Sequence, residues 1–198
     1  MLVRLRPVAV VAALAVALGF VAGAAASKPE PDDVAQAAPP GVAVRAIKIA
    51  ETGRLRKELG EPAGLVARGG RAAAFEIVVE DVTVVTTCPG RGASVTPSHG
   101  YFVVVDVAAA MASDVGAASR SLMPLIAEAF EVVGPEGSPQ AEPTDASWSC
   151  FEDAELAPPF VGPGESVNGK VVLDSAVDHG VLVYAPGGSA GWEWGFGR

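Results

Sequence analysis

Ala73 to Thr87 reads AAFEIVVEDVTVVTT, and its alternation decides the fold. Phe75, Ile77 and Val79 fall on one side of an extended chain and Glu76, Val78 and Glu80 on the other, because successive side chains of a strand point to opposite faces. The phase slips at Glu80-Asp81, where a bulge or bend would return Val82 and Val84 to the core side. The stretch therefore predicts one long strand or a bent pair.

The next apolar stretch, Tyr101 to Ala109 (YFVVVDVAA), is apolar on both faces except at Asp106, as expected of a central strand. Phe130 to Val133 runs into Gly134-Pro135-Glu136-Gly137, a turn sequence in which proline fixes φ and glycine accepts positive φ. Gly164 to Val167 leads into Lys170–Asp174 (KVVLD), then Gly180–Ala185 (GVLVYA) and finally Trp192–Phe196 (WEWGF). Only Ser121 to Phe130 has helical colour, and Pro124 confines any helix there to a turn or two. Six or seven strands without a long helix predict an all-β sandwich.

Residues 1–26 read differently. Arg4 and Arg6 precede a 19-residue uncharged run, Val8 to Ala26, which ends in the small residues Ala22-Gly23-Ala24-Ala25-Ala26. That is the layout of a secretory signal peptide with an A-x-A cleavage site, and cutting after Ala24 or Ala26 would leave a chain of net charge −11. The alternative is an uncleaved membrane anchor, since about 20 apolar residues cross a bilayer. Residues 28–41, KPEPDDVAQAAPPG, have the composition of a solvated linker. Val44, Ile47, Leu55 and Leu59 could line a short helix, but Gly53 interrupts it. The expected organisation is a signal peptide (1–26), a flexible linker or tail (27–60) and a β-sandwich domain (61–198).

Charge is unevenly placed along the chain. Residues 27–71 hold eight basic residues against six acids, whereas residues 72–198 hold four against 17, a net of −13. Such a domain repels nucleic acid and anionic membrane.

Cys88 and Cys150 are the only cysteines, and an even count in an exported chain is read first as a disulfide. Closing a loop of this size stabilises a fold by about 4 kcal/mol in the chain-entropy picture. A redox pair would want C-x-x-C spacing, and two cysteines with two distant histidines make a poor zinc set.

FEIVVEDV (75–82), CPGR (88–91), GYFVVVDV (100–107), DASWSCFED (145–153), PPFVGPGESVNGKVVLD (158–174) and GWEW (191–194) occur in an order that resembles an actinobacterial family of exported proteins of unknown function. That family is similar to the mycobacterial immunoprotective extracellular protein. The resemblance spans roughly residues 60–198, with PGESVNGKVVLD its most specific part. It implies an immunoglobulin-like antiparallel sandwich of about seven strands and, since the family has no assigned catalytic residues, no activity; no cofactor or metal is expected of the chain. Many relatives in that family are lipoproteins, but no cysteine follows the apolar run of this chain to carry a lipid.

The candidate sites are few. His99 and His179 stand beside glycine in turn-like sequence, and Asp178 next to His179 would point away from it on an extended chain. No G-x-S-x-G elbow accompanies them. Asp145, Glu152, Asp153 and Glu155 cluster around Cys150, where calcium could find oxygen ligands, although no EF-hand spacing occurs. Trp192, Trp194 and Phe196 share one face of the last strand. They are core if that face turns inward and an aromatic strip for a ligand if it turns outward, with Trp148 a second anchor. The glycines of GGSAG (187–191) predict a hairpin turn.

Together these features predict an exported, non-enzymatic binding or interaction module of the extracellular space or cell envelope. Its partner would be an unidentified protein or cell-wall polymer, touched through Trp148, Trp192 or Trp194. The alternatives are a membrane-anchored envelope or sensory ectodomain and, more weakly, a calcium-dependent adhesion module.

Overall fold

A computed structural model describes residues 49–66, 73–114, 122–186 and 190–197. The expected signal segment, most of the expected linker and residues 187–189 of the glycine-rich turn lie outside the described residues.

The long strand forms as its alternation predicts. β3 (Ala73–Val85) pairs antiparallel with β4 (Tyr101–Met111), and the register steps from Val79↔Val107 to Asp81↔Asp106. Glu80 is the extra residue of a bulge. Phe75, Ile77 and Val79 are buried before it, and after the phase change Val82 and Val84 pack against the same core. β4 is central and apolar on both faces because β9 (Ser166–Ser175) pairs along its other edge.

The strands β2 (Ala63–Val66), β3, β4, β9 and β7 (Ala141–Glu142) make a five-stranded antiparallel sheet in that order. A second sheet runs β1 (Leu55–Lys57), β11 (Trp192–Phe196), β10 (Gly180–Tyr184) and β6 (Phe130–Val133). The pair β5 (Met123–Pro124) and β8 (Phe160–Val161) forms a small ribbon, and Pro124 limits the helical stretch to one 3-10 turn, Ala127–Ala129. The architecture is the all-β sandwich expected, with more strands than the sequence revealed because β1, β2, β5, β7 and β8 are only two to four residues long.

The two sheets bury one apolar core between them. Tyr184 marks the seam: its ring lies 4.8 Å from Phe130 and 6.2 Å from both Phe75 and Trp192, and its hydroxyl donates to Pro124 O at 2.9 Å. Burial pushes the Tyr184 hydroxyl pKa well above its ordinary value.

One expectation needs correction. The domain does not begin at residue 61, since β1 runs parallel to β11 and Ile49 already bridges to Leu55. Glu193, between the two tryptophans of β11, is 2% exposed. β1 covers it: Arg56 Nε and Nη2 donate to Glu193 Oε1, and Thr52 Oγ1 donates to Oε2 at 2.9 Å.

Candidate functional site

A second, smaller apolar cluster sits on the far face of the five-stranded sheet and creates the site. Phe102, Val104 and Val172 project there from β4 and β9, and the Cys88–Cys150 disulfide, with Cα atoms 5.4 Å apart, closes over them. The disulfide pins an irregular layer, residues 88–100 and 143–157, onto the sheet. Gly90 N–H donates to Cys150 O at 2.9 Å, and Arg91 stitches the layer further. Its Nε donates to Phe151 O at 3.0 Å, its Nη2 to Trp148 O at 3.2 Å, and it pairs with Asp153.

α1 (Asp145–Trp148) is a single turn held by its cap. Thr144 Oγ1 accepts the Ser147 N–H at 3.1 Å, and Ser147 Oγ accepts the Thr144 N–H at 2.9 Å and donates to Thr144 O. Thr144 Oγ1 in turn donates to Asp174 Oδ2 at 2.9 Å, and Asp174 also accepts the N–H groups of Ser98 at 2.7 Å and His99 at 2.8 Å. Asp174 is fully buried. Burial pushes its carboxyl up, but the hydrogen bonds from Ser98, His99 and Thr144, with the His99 ring close by, outweigh that and hold it below the ordinary value.

Between α1, the disulfide layer and the edge of β9 lies a pocket of about 380 Å³. Leu125, Ile126, Trp148, Leu156, Pro158 and Pro159 supply apolar walls, and Arg91, Asp153 and Lys170 supply charge. Two of the four basic residues of the acidic 72–198 segment thus line this one pocket. Trp148 is 46% exposed, unusual for so large an apolar ring. Ser147 offers no free nucleophile here, since its hydroxyl is spent on the helix cap.

The other candidates fall elsewhere. Trp192 and Trp194 are buried at 4% and 0%, so the face they share with Phe196 turns into the core and presents no aromatic strip. His99 lies on the carboxylates of Asp174 and Glu142, at 3.4 and 3.5 Å. His179 does meet Asp178, Nδ1 to Oδ1 at 2.7 Å, because the two sit in a bend rather than on an extended strand. That hydrogen bond lowers the pKa of the exposed Asp178. The acidic residues around Cys150 do not converge: Asp153 turns to Arg91, Asp145 opens α1, and among the described residues no group of His, Cys, Asp and Glu could hold a metal ion.

Of the residues around this pocket, the sequence singled out Trp148 and the two cysteines but not Arg91, Lys170 or the wall at Pro158-Pro159. The paired prolines were the available signal, being rigid and unable to extend a sheet.

Fold and site together define a disulfide-bonded all-β sandwich with an apolar, charge-rimmed pocket under an irregular layer. No protein-family model matches the chain, and no curated protein matches it. Among solved structures the chain is similar to MPT63, a secreted protein from Mycobacterium tuberculosis, at 13% identity and a TM-score of 0.47, over 72% of this chain and 98% of that one. Among the described residues no helix is long and apolar enough to cross a membrane.

Proposed function

We propose that this chain is an exported, non-enzymatic binding module of the extracellular space or cell envelope, and that the pocket at Trp148 is its ligand site. The observation that carries the reading is an exposed tryptophan at the wall of an apolar pocket, with its backbone held by Arg91 beside the disulfide. A rigid scaffold presenting such a pocket on loops is the usual arrangement of a binding site. The Arg4/Arg6 and A-x-A layout supports export, and the ordered motifs from FEIVVEDV to GWEW support kinship with the actinobacterial exported family.

Mass spectrometry of the native N-terminus tests the export part. A chain beginning at Ala25 or Ser27 fits the proposal, whereas one retaining residues 1–26 favours the membrane-anchored ectodomain. Hydrolysis of envelope polysaccharide or peptide by the purified chain, abolished by a point substitution, would overturn the non-enzymatic part.

A further inference from the structure

The edge of β9 has a one-residue gap, and it opens into the pocket. Lys170 turns both backbone groups away from β4: its N–H donates to Glu155 O and its C=O accepts the Ala157 N–H, both at 2.9 Å. On the same edge Ala176 N–H donates to Gln140 O at 2.9 Å. Between these points β9 keeps an unbroken register with β4. Alternate residues of a strand direct N–H and C=O to the same side, so Val172, like Lys170, directs its pair away from β4.

No described residue is hydrogen-bonded to that pair. The register of β7, Glu142↔Asp174, would bring Thr144 opposite Val172 two residues later. Thr144 has left by then, its N–H on Ser147 Oγ and its C=O on Trp148 N–H. From the other direction, the 155–157 segment ends at Pro158-Pro159, which carry no N–H. Val172 is 5% exposed as a residue and lines the pocket, so among the described residues the donor and acceptor of a nearly buried residue stand side by side without a partner. Buried backbone groups are nearly always satisfied, and an exception beside a cavity points to what the cavity takes.

We propose that the gap takes one residue of an extended peptide, which completes the sheet edge by strand addition. This rests on the pocket being a binding site. The bound residue donates its N–H to Val172 O and accepts the Val172 N–H at its own C=O, as one residue of an antiparallel hydrogen-bonded pair does. Its apolar side chain lies against Trp148, Leu156 and Pro158. Because α1 closes one end and Ala157 the other, the occupant is a peptide end or a projecting loop. The rim cations are paired within the chain, Arg91 with Asp153 and Lys170 with Asp106, so the rim favours neither sign and the segment is recognised by its backbone and one apolar side chain.

The test is an NMR titration of the ¹⁵N-labelled full chain at millimolar probe concentrations with three probes. These are acetyl-Ala-Val-Ala-amide, its analogue with an ester oxygen in place of the central N–H, and toluene. The expected result is a downfield shift and at least tenfold slower exchange of the Val172 amide with the peptide, and at least tenfold weaker binding of the ester. If ester and amide bind alike, or toluene perturbs the pocket and the peptide does not, peptide pairing is wrong and the pocket stands. If no probe perturbs Trp148 or its neighbours, the pocket reading fails as well.

Discussion

Arg56 and Glu193 face each other across the parallel pair β1–β11, with Nε and Nη2 donating to Oε1 at 3.1 and 2.9 Å. The carboxylate is 2% exposed while the Arg56 side chain is 52% exposed, so the carboxylate loses the more when the contact goes. Removing the guanidinium strands a buried charge and is expected to cost about 2 kcal/mol, less than a fully buried pair because water still reaches Arg56. Chemical denaturation of R56M, E193Q and the double variant checks this. The double variant should be more stable than the sum of the single losses implies.

Asp174 sets an acid limit on the fold. Its folded pKa lies below the ordinary 3.8, so its contribution is fully present above that value and is lost as pH falls through the lowered folded value. Urea midpoints should therefore fall below about pH 4 on this account. Asp174→Asn puts an amide donor among three donors and should cost about 1–3 kcal/mol at neutral pH while flattening that acid limb. An unchanged limb in the variant would place the titration elsewhere.

Breaking the Cys88–Cys150 bond frees a loop spanning 62 positions, which corresponds to about 4 kcal/mol in the chain-entropy picture. The Cys88→Ala/Cys150→Ala variant should lose about that much by urea titration. Amide exchange should rise first in residues 88–100 and 143–157, because the sandwich core has its own contacts and the irregular layer depends on the bridge.

Gly169 permits the close approach that builds one end of the pocket. A Cβ there would lie 2.5 Å from Ala157 N and 2.7 Å from Leu156 C, both backbone atoms. Gly169→Ala should push the 155–157 segment off Lys170 and cost about 1–3 kcal/mol, read by thermal melting, with altered amide shifts at Ala157 and Val172.

The sandwich was legible where strands were long enough to carry a pattern. Phe75, Ile77 and Val79 fixed a face, and the doubled acid at Glu80-Asp81 announced the bulge. Leu55–Lys57 was not legible, because three residues carry no period and the strand lies in a basic stretch broken by Gly53. Its absence from the reading also hid why Glu193 can be buried. Of the site, Trp148 and the disulfide were visible as residue types. The Val172 gap was not, since it depends on where two distant segments stop pairing, a property of register and not of composition.

The measurement closest to the central claim follows the three tryptophan indole N–H signals of the ¹⁵N-labelled full chain as acetyl-Ala-Val-Ala-amide is added. The Trp148 signal should move with saturation while the buried Trp192 and Trp194 signals stay, and Trp148→Ala should weaken binding at least tenfold. An unmoved Trp148 signal, with shifts gathered instead around Arg56 and His179 on the other sheet, would contradict that claim.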